Sequence, residues 1–100
     1  MSKYKGKKVL VVGLGVTGVS VARYMTKQGA KVIVTDTKQR NELAEHVNAC
    51  AELKVELELG KHNAKNFTSV DLIVMSPGVP PTLKALEEAR QAGIPITNEI

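Results

Sequence analysis

The sequence contains little cysteine and few aromatic residues. Cys50 is the only cysteine among 100 residues, so no internal disulfide can form, which excludes a disulfide-stabilised secreted scaffold. The aromatic residues are Tyr4, Tyr24 and Phe67, and they do not form the stacking platform that single-strand binders use. We therefore expect no nucleic-acid partner.

The sequence also lacks a long apolar run. No stretch approaches the roughly 20 apolar residues that a helix needs to span a bilayer. The N-terminal segment MSKYKGKK leads into only a short aliphatic run, whereas a secretory signal needs roughly 7–15 apolar residues. These features predict a cytoplasmic protein with no membrane partner.

Positive charge exceeds negative charge by a small margin. The chain has 14 Lys and Arg against 10 Asp and Glu, a net charge of +4, and four lysines lie among the first eight residues. The surplus suits an anionic ligand, although a solvated N-terminal tail is the simpler interpretation of these lysines. His46 and His62 lie far apart in different local patterns, and we expect no metal site.

Strand-like and helix-like segments alternate along the chain. Continuous aliphatic runs predict strands buried on both faces, and apolar residues at helical spacing predict helices between them. The predicted strands are Val9–Val12, Lys31–Thr37, Val55–Gly60, Asp71–Ser76 and Ile94–Thr97. Three helices are predicted. The first follows the glycines of residues 13–18 and ends near a C-cap at Gly29. The second covers Asn41–Leu53, and the third covers Pro81–Gly93 with Thr82 as N-cap. This alternation predicts a single domain over residues 1–100, built on an open parallel sheet.

The third and fifth strands are the natural edges of this sheet. Val55–Gly60 alternates apolar and acidic residues, so one of its faces is wetter than the other. The fifth strand is short and contains Pro95, which is best tolerated at an edge. The predicted strand order is therefore 3-2-1-4-5, a three-layer Rossmann-like α/β fold.

The predicted second helix explains the single cysteine. Leu43, Val47, Cys50 and Ala51 fall at a spacing that places them on one helical face. A cysteine in such a row is typical of a small core residue. We do not expect Cys50 to be a nucleophile.

The segment GLGVTG, residues 13–18, has the spacing G-x-G-x-x-G between a strand and a helix. Gly13 permits a tight exit from the strand, Gly15 lets backbone approach an anion, and Gly18 lets the helix pack close to the sheet. The amides of Val16, Thr17 and Gly18 are then free donors at a helix start. The motif predicts phosphate binding without identifying the nucleotide, and glycines needed for packing alone are the alternative.

The predicted strand order brings three segments to one crevice. Residues 13–18, 36–38 and 76–81 all follow the carboxyl ends of central strands, at the point where the strand order reverses. Asp36 ends the second strand, where an acid accepts from ribose hydroxyls in NAD sites. The same carboxylate can accept the N3–H of uracil, with Thr37 supplying a hydroxyl to a ring carbonyl, or can simply cap the following turn. Spacing alone leaves these alternatives open.

The motifs GLGVTG, VTDTK, DLIVMSPGVP and AGIPITNEI, taken in order, resemble the N-terminal domain of the Mur ligases. The resemblance covers all 100 residues and is more specific than the glycine motif alone. Within the family, the chain is most similar to the members that add D-glutamate to UDP-N-acetylmuramoyl-L-alanine in peptidoglycan synthesis. In that family this domain binds the UDP part of the substrate, not a nicotinamide cofactor.

The resemblance implies a role for each matching residue. Val16 and Thr17 would meet the diphosphate, Asp36 and Thr37 would read uracil, and Gly78 would allow close approach of the sugar nucleotide. Ser76 and Pro77 would shape that turn or contact the ligand. Lys38 stands where the family often has arginine, so it can supply charge but no planar stacking surface. The predicted UDP-binding residues are Gly15, Val16, Thr17, Gly18, Asp36, Thr37, Lys38 and Gly78, with no catalytic and no metal-binding residue.

The family reaction is ATP-driven amide formation through an acyl phosphate, which implies ATP and Mg²⁺ for a full-length enzyme. These 100 residues contain no G-x-x-x-x-G-K-[ST] motif. We therefore expect an N-terminal fragment that binds UDP-N-acetylmuramoyl-L-alanine, needs no cofactor of its own, and is inactive without the central and C-terminal domains. The alternatives are an NAD-binding domain of a dehydrogenase or regulatory protein, and a structural module with an empty cleft.

Overall fold

A five-stranded parallel sheet organises the chain in the computed structural model, which describes residues 3–80 and 83–98. The strands are β1 (Lys8–Val12), β2 (Lys31–Asp36), β3 (Val55–Leu59), β4 (Leu72–Met75) and β5 (Ile96–Thr97). The α-helices are α1 (Val16–Lys27), α2 (Ala44–Ala49), α3 (Ala64–Thr68) and α4 (Lys84–Gln91), and a 3₁₀ turn spans Arg40–Leu43. The order β3-β2-β1-β4-β5 confirms the prediction.

The central strands are buried on both faces of the sheet. Val9 and Val11 pack into one core with α1 and the 3₁₀ turn, while Leu10 and Val12 pack into a second core with α3 and α4. All four side chains are fully buried. Because successive residues of a strand point to opposite faces, β1 contributes side chains to both cores, and the three-layer prediction is confirmed.

The region predicted as one helix over Asn41–Leu53 is shorter and divided. A 3₁₀ turn, opened by a capping box between Gln39 and Glu42, precedes α2. The Cys50 amide donates to the carbonyls of both His46 and Val47, which tightens the last turn and ends the helix. The prediction of a single helix over this range was therefore wrong.

The face proposed for that helix is only partly correct. Leu43 and Cys50 are buried, Val47 is half-buried, and Ala51 is exposed because it follows the end of α2. Burial raises the pKa of the Cys50 thiol, against an opposing effect of the Arg23 charge. The thiol therefore stays protonated near neutral pH, as expected for a core cysteine.

Helix α3 was not predicted. Asn63 caps its first turn by accepting a hydrogen bond from the Lys65 amide, and its Phe67 is fully buried. The chain must cross from the edge strand β3 to β4 on the far side of β1, and a parallel crossover covers a face of the sheet. The asparagine cap and the lone phenylalanine were the available signals.

The C-terminal elements follow the prediction with shorter bounds. Leu86 and Ala89 of α4 are buried, as predicted from their spacing. Pro81 and Thr82, the predicted start and N-cap of this helix, lie outside the described residues. Strand β5 covers two of the four residues predicted for it. Within the part of the chain that the structure describes, no helix combines the length and apolar character needed to cross a bilayer.

Candidate nucleotide-binding cleft

The three predicted segments meet in one cleft at the carboxyl edge of the sheet. Val12 pairs with Thr35 of β2 on one side and with Met75 of β4 on the other, so these three strands end level with one another. The loops that follow enclose a cleft of about 700 Å³. The predicted residues that line it are Gly15, Val16, Thr17, Asp36, Thr37, Lys38 and Gly78. Gly18 is buried behind the loop instead.

The three glycines of the first loop differ in what an added Cβ would contact. Gly13 has φ +101°, and a Cβ there would lie 3.0 Å from the Cβ of Ser76. A Cβ on Gly18 would overlap the carbonyl oxygen of Gly13. A Cβ on Gly15 would meet no protein atom within 4 Å, so the space beside Gly15 is open.

The N-terminus of α1 opens onto this cleft. The amide of Val19 donates to the Gly15 carbonyl at 2.9 Å and makes the first α-helical hydrogen bond. The amides of Val16, Thr17 and Gly18 precede it, and Gly15 as N-cap has no side chain to accept from them. The first turn of the helix contains no acidic side chain that would compete with an anion for these amides. These amides can hold an anion.

Asp36 fastens two of the cleft loops to each other. Its Oδ2 accepts from the Leu14 amide at 2.8 Å and its Oδ1 accepts from the Lys38 amide at 2.9 Å. The second bond is the turn cap considered from the sequence, and the first ties the glycine loop to the end of β2. An ionised carboxylate has about four acceptor sites, so Asp36 can still accept from a ligand.

The third loop is fixed to the first by Ser76. Its hydroxyl donates to the Gly13 carbonyl at 3.0 Å, and the side chain is buried. Gly78 in the same loop has φ +92°, a conformation that favours glycine, and a Cβ there would meet nothing within 4 Å. The Ser-Pro-Gly turn is therefore anchored at one end and open towards the cleft at the other.

His62 lines the cleft from the loop after β3. Its Nδ1 lies 2.8 Å from the hydroxyl oxygen of Thr35, and its ring meets the ring of Phe67 edge-on with centroids 5.5 Å apart. Burial lowers the pKa of His62 from its ordinary value, and the negative charge of Asp36 opposes part of that shift. The imidazole is therefore neutral near pH 7.

Comparison with known proteins identifies the family. Residues 7–98 match the family model of the MurD-like N-terminal domain of Mur ligases. The chain belongs to this family. The matched residues include all three loops that form the cleft, so the predicted resemblance to the Mur ligases is confirmed.

The MurD-like domain corresponds to a small part of longer relatives. It is 50% identical over 98 residues to the UDP-N-acetylmuramoylalanine–D-glutamate ligase of Bdellovibrio bacteriovorus. The match covers 98% of this chain and 21% of that relative, so the chain spans about a fifth of that relative's length.

Solved structures share the fold of the MurD-like domain. The UDP-N-acetylmuramate–alanine ligase of Thermotoga maritima is similar with a TM-score of 0.70 and 23% identity, over 91% of this chain and 20% of that one. D-lactate dehydrogenase from Escherichia coli is similar with a TM-score of 0.62 and 22% identity, over 93% of this chain and 28% of that one. The fold is thus common to ligases and dehydrogenases, and does not choose between a sugar nucleotide and NAD.

Sequence reasoning missed several residues that line the cleft outside the three predicted segments. The residues it did not include are Glu42, Leu43, His46, His62 and Leu83, which belong to the 3₁₀ turn, α2, the loop after β3 and the segment before α4. The strand order itself contained a signal, because the loop after β3 leaves the same edge of a parallel sheet as the other site loops. Among the described residues, no three His, Cys, Asp or Glu side chains are grouped closely enough to hold a metal ion.

Proposed function

We propose that this MurD-like domain binds the UDP part of UDP-N-acetylmuramoyl-L-alanine and is the first domain of a longer cytoplasmic ligase. The longer protein would add D-glutamate to that substrate in peptidoglycan synthesis, at the expense of ATP. The family match over residues 7–98 and the names of the relatives support this proposal. The observation that carries it is the opening of the α1 N-terminus onto the same cleft as Asp36 and Gly78.

The diphosphate would lie against the start of α1. The amides of Val16, Thr17 and Gly18 supply donors without internal partners in the helix, and the helix dipole adds attraction for negative charge. The open space beside Gly15 lets a phosphate approach the backbone. Because these donors are held by the helix, they need little reorganisation when the ligand binds.

The uracil ring would lie beyond the end of β2. Asp36 is held in place by the Leu14 and Lys38 amides and keeps acceptor capacity for the ring N3–H. The exposed hydroxyl of Thr37 would donate to a ring carbonyl, and Lys38 would add positive charge without stacking. Gly78 would leave room for the sugar nucleotide on the opposite wall.

Amide-bond formation would require the remainder of the enzyme. These 100 residues have no phosphate-binding loop of the G-x-x-x-x-G-K-[ST] type, and the described residues offer no cluster for Mg²⁺. The residues present therefore do not fit an ATP–Mg²⁺ site, and no step of the ligase reaction is assigned to them. We expect the domain alone to bind substrate without catalysing ligation.

A parallel titration with UDP and NAD tests the proposed ligand. We expect UDP to shift the backbone amide resonances of Val16, Thr17, Asp36 and Gly78 saturably in ¹H–¹⁵N spectra, while NAD shifts them little. Millimolar ligand is appropriate, because further domains would add contacts in a longer enzyme. Saturable shifts with NAD and none with UDP would contradict the ligase assignment and favour a nicotinamide-binding domain.

A further inference from the structure

His62 belongs to a loop that no sequence motif singled out, and that loop is fixed against β2. The amide of Gly60 donates to the carbonyls of Asp36 at 3.0 Å and of Lys38 at 2.9 Å. The chain after β3 is thereby held beside the end of β2, two residues before His62. Backbone hydrogen bonds therefore hold the segment that leads into His62, and His62 does not belong to a free surface loop.

Two contacts fix the orientation of the His62 ring. Its Nδ1 lies 2.8 Å from the Thr35 hydroxyl oxygen, and the His62 and Phe67 rings make a T-shaped contact. The Phe67 ring is fully buried. Both partners lie in the protein core, so the imidazole is held on one side. A ring held in this way loses little conformational entropy when a ligand binds.

The Thr35 hydroxyl decides which ring nitrogen carries the proton. Thr35 is fully buried, and Nδ1 of His62 is the partner found for its hydroxyl within residues 3–80 and 83–98. A buried hydroxyl proton without an acceptor is costly, so Thr35 donates to Nδ1. The neutral ring then carries its proton on Nε2, which is a hydrogen-bond donor.

The strand order places this donor at the base end of the cleft. The α1 N-terminus follows β1, whereas His62 follows β3, on the far side of β2 from β1. His62 therefore lines the cleft from the opposite side of β2 to the amides proposed for the diphosphate, in a loop that the Gly60 amide ties to the carbonyl of Asp36. The two side chains offer one donor and one acceptor, and the edge of uracil presents an N–H group between two carbonyl groups.

We propose that Nε2 of His62 donates a hydrogen bond to a carbonyl oxygen of the uracil ring, beside the Asp36 carboxylate that accepts from N3–H; this placement rests on the proposed function. His62 is then a further residue that selects the base. It would contribute nothing to the binding of the diphosphate.

Substitutions that copy one ring nitrogen at a time test the proposal on this 100-residue chain. In His62→Asn the side chain retains an acceptor near the Nδ1 position and loses the Nε2 donor, while His62→Gln retains a donor near the Nε2 position. We expect His62→Asn to raise the Kd for UDP about five- to tenfold and His62→Gln to stay within about twofold of the unaltered chain. Titrations with inorganic diphosphate should give the same Kd for all three proteins.

Gln91→Asn is the control, because Gln91 is an exposed residue at the end of α4 and does not line the cleft. We expect it to leave the Kd for UDP unchanged. An equal loss in Gln91→Asn and His62→Asn, or an equal loss for UDP and inorganic diphosphate, would overturn the assignment of His62 to the base. An unchanged Kd in His62→Asn overturns the inference alone, whereas failure of the unaltered chain to bind UDP overturns the proposed function.

A second measurement requires no variant. Long-range ¹H–¹⁵N spectra of the imidazole distinguish the two neutral forms of His62. We expect the Nε2–H form in the free chain and a shift of its Nε2 resonance on addition of UDP. The Nδ1–H form, or an Nε2 resonance that UDP does not move, would contradict the proposal.

Discussion

At the scale of single residues, the cleft depends on where side chains are absent. Gly13 and Gly18 are required by the protein itself, since a Cβ at either position meets neighbouring protein atoms. Gly15 is not required in this way, because it has φ −128° and open space around its missing Cβ. The space beside Gly15 is therefore open to a ligand.

Gly15→Ala should separate binding from stability. An added methyl group would occupy the space proposed for the diphosphate and raise the Kd for UDP about tenfold or more, as expected for a lost hydrogen bond to a charged group. The free energy of unfolding should change by only about 1 kcal/mol, since alanine is a somewhat poorer N-cap than glycine. Urea unfolding and a UDP titration measure the two quantities.

Gly18→Ala is the control for this substitution. Its methyl group would overlap the Gly13 carbonyl oxygen, so it should lower the free energy of unfolding clearly more than Gly15→Ala does. If Gly15→Ala binds UDP as tightly as the unaltered chain, the diphosphate does not lie beside Gly15.

At the scale of elements, the site is built by joining the ends of strands. Asp36 connects the β1–α1 loop to the end of β2, and Ser76 connects the same loop to the end of β4. Gly60 then fastens the loop after β3 to the end of β2. Each central loop is thus held by a hydrogen bond from another element, which preorganises the cleft.

Asp36→Ala should weaken both the ligand complex and the fold. We expect the UDP complex to lose about 1.5–3 kcal/mol, the range for a hydrogen bond to a charged group. The free energy of unfolding should also fall, because the Leu14 and Lys38 amides lose their acceptor. Titration and urea unfolding of the same variant give both numbers.

Asp71→Ala provides a matched control for Asp36→Ala. The Asp71 carboxylate also accepts from a backbone amide, that of Lys8 at 2.8 Å, but at the amino end of the sheet. We expect this variant to lose stability without any change in UDP affinity. Equal UDP affinity in the Asp36→Ala and unaltered chains would remove Asp36 from the site.

The helices show where local pattern was insufficient. Apolar spacing over residues 41–53 predicted a longer helix than α2, because spacing does not show where a tightened last turn ends the helix. Helix α3 has only five residues, too few for a periodic pattern, and it forms because the crossover must cover the sheet with Phe67. The first difference arises from hydrogen bonds at the ends of α2, and the second from packing of Phe67 against the sheet.

At the scale of the whole molecule, one cleft residue links stability to pH. Burial lowers the pKa of His62 in the folded chain, while Asp36 opposes part of that change. The unfolded chain therefore binds more protons at this site when the pH falls below the ordinary histidine value of about 6.5. The stability associated with the neutral ring is complete above that pH and is lost as the pH falls through the lowered pKa.

Between pH 7.5 and pH 5, we expect the free energy of unfolding to fall by more in the unaltered chain than in His62→Asn. Urea unfolding at several pH values measures this difference, since the other titrating side chains are the same in both proteins. Parallel curves for the two proteins would mean that His62 titrates with the same pKa in the folded and unfolded chains.

The sequence by itself determined the sheet, its strand order and the loops that meet at its carboxyl edge. Aliphatic runs, glycines and edge-type strands are local signals, and the geometry of parallel strands then places Gly15, Asp36 and Gly78 together. Only the tertiary structure brought His62 to Thr35 and gave Asp36 its bond to Leu14, because these contacts join residues 27 and 22 positions apart. Such pairings depend on how loops from different strands pack, which no local pattern records.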